Sequence, residues 1–150
     1  MYYVPKYFEI TLALLLIACA VTTVNTQSPT RYRGRLSIVP VDFSTVATTS
    51  GNGEFAAEIQ EHELLLEVHF AGLSSAATRA ELRKAPKGQR GGVEFTFNIR
   101  TPQSTTGNFS HTLTLTEPQL HALREEQYYL QIPTIGNPDG EIRGWLLIDE

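Results

Sequence analysis

Hydrophobic and polar positions alternate with period two along most of the chain beyond residue 30. Tyr32, Gly34, Leu36 and Ile38 fall on one side of a stretch whose other side carries Arg31, Arg33, Arg35 and Ser37. Period two gives a strand one buried face and one wet face. From Glu63 to Phe70, Leu64, Leu66, Val68 and Phe70 oppose Leu65, Glu67 and His69, and Gly72 ends the run. Val93, Phe95, Phe97 and Ile99 alternate with Glu94, Thr96, Asn98 and Arg100. Phe109, His111, Leu113 and Leu115 repeat the pattern. Gly53 to Ile59 and Thr78 to Lys84, with Ala80 and Leu82 inward, read as shorter strands. Val41 to Asn52 and Thr101 to Gly107 are polar and read as loops, and Gly88-Gln89-Arg90-Gly91-Gly92 reads as a mobile loop between strands.

The period changes once. Thr116-Glu117-Pro118-Gln119 combines a capping threonine, a first-turn proline and a glutamine placed to reach back. A short helix is predicted over residues 117–126, with Leu120 and Leu123 as its apolar stripe. Tyr128 to Ile132 returns to strand. Asn137-Pro138-Asp139-Gly140 predicts a turn in which Gly140 takes positive φ, closing a hairpin onto a last strand, Glu141 to Ile148. In that strand Ile142, Gly144 and Leu146 share one face, and Glu141, Arg143 and Trp145 share the other. Glu141 and Arg143 read as a structural charge pair. Trp145 reads first as core and second as an aromatic anchor for a partner. About seven or eight short strands with one helix predict an all-β fold, an antiparallel β-sandwich.

Composition narrows the class. With 41% hydrophobic and 19% charged residues in 150, the chain suits one folded domain. A net charge of −4 argues against nucleic acid as a partner, and one cysteine excludes an intramolecular disulfide framework. Ile10 to Val21 is an apolar run of twelve residues, against the roughly 20 a membrane span needs. It fits the core of a secretory signal peptide over residues 1–26, with cleavage after 26 or after 20. The mature domain would then be residues 27–150, still at net charge −4 because Lys6 and Glu9 leave together, secreted and free of membrane. Leu16-Ile17-Ala18-Cys19 also resembles a bacterial lipobox, which would anchor the chain by lipid on Cys19.

The terminal hairpin also carries a resemblance. Tyr129 followed by Asn137-Pro138-Asp139-Gly140-Glu141-Ile142-Arg143-Gly144 resembles the signature of the CHRD domain, the module repeated in chordin and found alone in many secreted proteins. Leu113 to Thr116 with Gln119, Leu120 and Leu123, Gly53 to Leu73, and Arg35-Leu36 extend it over roughly residues 33–149. The resemblance implies an extracellular binding module, for a secreted signalling protein or a matrix component, and a structural role for the motif residues. Family members often carry H-I-H in the middle and a further His near the end. Here those positions hold Glu81, Leu82, Arg83 and Pro133, and Gln131 stands where an Asn is common. Metal binding or imidazole chemistry in relatives does not transfer.

No catalytic constellation is visible. His62, His69, His111 and His121 lack metal-ligand spacing, so no cofactor and no enzymatic activity is expected, and the imidazoles read as surface or edge groups. A β-sandwich metalloenzyme and a structural matrix component are the alternatives. Arg79, Arg83, Lys84, Lys87 and Arg90 form a basic segment, and Arg31, Arg33 and Arg35 line one strand face. Either suits glycosaminoglycan or an acidic partner, against the plainer reading of a solvated loop and a charge-protected edge. Asn108-Phe109-Ser110 is a glycosylation sequon on Asn108.

Overall fold

The computed structural model describes residues 28–39, 43–99 and 104–149. The expected leader, its cleavage points and Cys19 lie outside the described residues. The described chain runs β1 (Thr30–Ile38), β2 (Asn52–Gln60), β3 (Glu63–Ala71), β4 (Ala80–Lys84), β5 (Gly92–Phe97) and β6 (Gly107–Thr114). It continues through α1 (Glu117–Arg124), β7 (Tyr128–Ile132), β8 (Ile142–Trp145) and β9 (Leu147–Ile148).

Every strand pair is antiparallel, and the strands lie in the order β5-β4-β7-β8-β1-β2-β3-β6, with β9 also on β1. β1 belongs to both halves. Its last residues, Ser37 and Ile38, pair with β8, while Thr30 to Leu36 pair with β2. The two outer strands approach each other: the Phe97 ring of β5 stands 5.1 Å from the His111 ring of β6 and 6.0 Å from that of Phe109. The sheet therefore curls into a nearly closed barrel, the rolled form of the expected antiparallel sandwich. Curling shields both edges, which would otherwise offer unpaired backbone groups.

Alternation places the core as the pattern predicts. Leu64, Leu66, Val68 and Phe70 are buried and join Tyr32, Leu36, Phe55, Leu82, Leu130 and Ile132. α1 carries the chain from β6 to β7 and adds Leu120 and Leu123 to the same core. Its start is capped as expected: the Thr116 N–H donates to Gln119 Oε1 at 2.9 Å.

The pattern fails where inner positions run past their cover. Val93 is 44% exposed and Ile38 46%, both at strand ends on the barrel rim. β5 stops at Phe97, short of Ile99. The last strand is broken rather than continuous. β8 pairs with β7 and the end of β1, whereas β9 pairs with Tyr32 and Arg33 near its start. Between them Leu146 turns into the core, its N–H donating to the Tyr128 carbonyl at 2.9 Å.

β7 departs from simple alternation. All five residues, Tyr128 to Ile132, are buried. Tyr128, Leu130 and Ile132 enter the core. Tyr129 and Gln131 point the other way and are covered from outside.

Candidate functional site: the outer face of β4, β7 and β8

Register assembles the covering face. Glu81 of β4 lies opposite Gln131 of β7, which lies opposite Arg143 of β8. One pair further on, Arg83 opposes Tyr129, which opposes Trp145. Side chains directly opposite on antiparallel strands share a face, so these six form one patch. The positions where relatives carry H-I-H and Asn therefore meet, through Glu81, Arg83 and Gln131.

Glu81 is 2% exposed, and its charge is matched. Arg79 Nε donates to Oε1 at 2.6 Å, Arg83 Nε donates to Oε2 at 2.7 Å, and Gln131 Nε2 stands 3.5 Å from Oε2. A buried carboxylate needs such partners. Burial opposes the charge on Arg83, but the hydrogen bond and charge of Glu81, with help from Tyr129, raise its pKa overall.

The glycine-rich segment is pinned on this face rather than free. Arg83 Nη1 donates to the Gly91 carbonyl at 2.9 Å, and the Gly91 N–H donates to the Tyr129 hydroxyl at 3.1 Å. Only a residue without Cβ allows the approach, since a Cβ on Gly91 would overlap the Lys84 carbonyl oxygen. Trp145 is half-buried on the outer face, not a core residue. Its ring meets Tyr129 at 5.0 Å and its Nε1–H points at the Ala85 carbonyl, 3.4 Å away.

Arg143 completes the face and does not pair with Glu141. Its guanidinium stands 5.6 Å from the Trp145 ring centroid and 5.9 Å from that of Tyr129, within cation–π range. Nε and Nη1 are buried without a hydrogen-bond partner. Burial, then the Arg90 cation, lower its pKa, against an opposing effect of Tyr129.

Glu141 instead staples the β7–β8 turn. It lies just before β8 and is fully buried. Its Oε1 accepts the Ser50 N–H at 2.9 Å and the Ser74 N–H at 2.6 Å. Its Oε2 accepts the Thr134 hydroxyl at 2.6 Å and Asn137 Nδ2 at 3.2 Å. Asn137 Nδ2 also donates to the Thr48 carbonyl at 3.0 Å. Three segments remote in sequence thus meet on one side-chain pair.

Gly140 closes the turn at φ 105, with its N–H on the Asn137 carbonyl at 3.1 Å. A Cβ there would overlap the Gln131 amide as well as strain the backbone. Gly140→Val is expected to cost about 2 kcal/mol. Chemical denaturation checks this, and an unchanged midpoint would refute it.

The remaining sequence candidates are dispersed. The basic segment splits: Arg79 and Arg83 engage Glu81, Lys87 pairs with Glu126, and Arg90 lies toward Arg143. Lys84 follows Arg83 in a strand and shares no face with it. Arg31 and Arg33 pair with Glu58 and Asp149. His62 lies 2.8 Å from the Leu115 carbonyl and 3.3 Å from Glu117, His111 stacks on Phe97, and His69 sits between Glu54 and Asn108 in register. His121 is exposed on α1. Among the described residues, no three His, Cys, Asp or Glu side chains converge as metal ligands. Asn108 is exposed on β6.

An antiparallel β-barrel with a stapled terminal hairpin and a cationic, aromatic outer face defines the class. The chain belongs to the CHRD domain family, whose model matches residues 40–146. CHRD domains are generally found in extracellular proteins. The match begins after β1, although β1 joins the two halves of the barrel. No curated protein and no solved structure matches the chain.

Proposed function

We propose that this chain is a secreted, non-enzymatic binding module that contacts an extracellular protein or matrix component through the outer face of β4, β7 and β8. The carrying observation is the makeup of that face. Arg79 and Arg83 hold one carboxylate, Glu81, and on the same face Arg143, with the Arg90 cation acting on it, stands over the half-buried Trp145. Arginine and tryptophan are the residues that most often anchor interfaces. The face carries charge for recognition, and no nucleophile there is paired with a base. The leader over residues 1–26 delivers the domain, and a glycan on Asn108 would project from β6.

The test captures partners from extracellular fluid on the immobilised domain and compares Arg79→Glu/Arg90→Glu. Partners of the wild type are expected to dissociate at least tenfold faster from the variant, compared at a temperature where both are folded because Arg79→Glu also removes a partner of buried Glu81. Equal retention by both proteins would overturn the assignment to this face. Stoichiometric zinc or copper in the purified protein would overturn the non-enzymatic reading.

A further inference from the structure

Ion pairing along one groove leaves two arginines over, together with two carboxylates, Glu54 and Glu67. An open groove of about 1430 Å³ runs along the outer side of β1 and β2 and reaches β8. Its cationic lining is Arg31, Arg33, Arg35, Lys87 and Arg143. Arg31 is met by Glu58, Arg33 by Asp149 and Lys87 by Glu126. Among the described residues, neither Arg35 nor Arg143 makes an ion pair, although Glu54 faces Arg35 across the β1–β2 register.

These two lie on one face. Ser37 opposes Arg143 in the β1–β8 register, and Arg35 is two residues from Ser37, hence on the same side. The backbones meet closely here, since a Cβ on Gly144 would overlap the Arg35 carbonyl. Trp145 lines the same groove between them. The rings of Tyr129 and Trp145 attract the Arg143 cation but accept none of its N–H bonds along the chain's own polar groups. Arg143 is half-buried, and a guanidinium with Nε and Nη1 undonated suits an anion that supplies oxygen acceptors.

We infer that Arg143, Arg35 and the Trp145 ring form a subsite for an acidic saccharide, with a sulfate or carboxylate on the guanidinium groups and the sugar's C–H face on the indole. This rests on the outer face being the binding surface and names the ligand class it takes. A sugar polymer suits the groove better than an acidic peptide does. The groove is open and mixes apolar residues such as Leu65 and Leu147 with polar groups such as Glu54 and His69, which serve hydroxyls, and it offers a flat ring for stacking against a sugar's C–H face. The subsite differs from the basic segment Arg79 to Arg90, whose charges are largely met by Glu81 and Glu126.

The test is calorimetric titration of the folded domain with a heparin octasaccharide at low salt and again at physiological ionic strength, where screening acts over about 8 Å. Wild type is expected to bind, more weakly at the higher salt. Arg143→Gln and Trp145→Leu should each lose about tenfold in affinity, and Arg35→Gln about threefold. Lys84→Gln, outside the groove, should bind as wild type does. The Arg143→Gln melting point should stay level or rise, because an unpaired buried cation is removed. Should Arg143→Gln fail to fold, Arg35→Gln on its exposed strand position carries the test. Three results would overturn the inference: no octasaccharide binding, loss confined to Lys84→Gln, or equal affinity for poly-glutamate, which would assign the groove to acidic peptide. Each leaves the proposed binding function standing if partner capture still depends on Arg79 and Arg90.

Discussion

Replacing Glu141 with alanine is expected to destabilise the fold by about 4 kcal/mol, the sum over buried donors left without an acceptor. The carboxylate is fully buried and receives the Ser50 and Ser74 N–H groups, the Thr134 hydroxyl and the Asn137 amide. At about 4 °C per kcal/mol for a domain of this size, the melting temperature falls by roughly 15 °C. Glu141→Gln keeps the shape but turns an NH2 toward a donor, so a smaller loss of about 2 kcal/mol is expected.

The two variants also separate packing from charge. Burial alone would push the Glu141 carboxyl up, but the hydrogen bonds from Thr134, Ser74 and Ser50 outweigh it and hold the pKa below the ordinary 4.5. The unfolded chain therefore binds the proton more readily than the folded one. The resulting stability is fully present above pH 4.5 and is lost as pH falls below it through the folded value. Denaturant midpoints measured from pH 7 downward should fall more steeply below pH 4.5 in wild type than in Glu141→Gln. Parallel curves would show that the carboxylate's charge contributes nothing.

Gly144→Val is expected to be at least as damaging, at about 4 kcal/mol, because the obstacle is backbone. A Cβ there would overlap the carbonyl oxygen of Arg35 on the neighbouring strand, and a Cβ on Gly34 would overlap the Phe55 ring. Phe55 lies directly opposite Gly34 in register and is 4% exposed, so it fills the space the glycines leave. β8 and β1 can approach only if both strands omit the side chain. A branched residue at Gly144 must separate them, which opens the seam joining the two halves of the barrel. Thermal unfolding checks the magnitude, and a melting temperature within a few degrees of wild type would refute the close approach.

The motif from Asn137 to Gly144 thus has a physical account, residue by residue. Asn137 and Glu141 tie three loops together, Gly140 turns the chain at positive φ, Ile142 enters the core, and Gly144 lets β1 pass. Arg143 stands apart from that scaffolding role, since its side chain leaves for the outer face.

Local chemistry wrote a large part of this fold into the chain. Period-two alternation identified β1, β3 and β6 and the buried sets Leu64 to Phe70 and Ala80 with Leu82, because a pleated strand separates its faces whatever it pairs with. The capping residues from Thr116 to Gln119 and the turn at Asn137 to Gly140 were legible for the same reason: each is decided within a few residues. Pairing was not. The partners of Glu141 come from Ser50, Ser74 and Thr134, and only the closed barrel brings those loops to it. Alternation put Glu141 and Arg143 on one side and suggested a charge pair, but Glu141 precedes the strand and turns inward. The outer face followed from register, which no periodicity specifies: the β7–β8 hairpin sets Arg143 beside Tyr129 and Trp145, while Glu81 with Gln131 and Arg35 beside Gly144 meet through strands far apart in sequence. Side-chain alternation is a property of one strand, whereas a face spanning several strands exists only once their register is set.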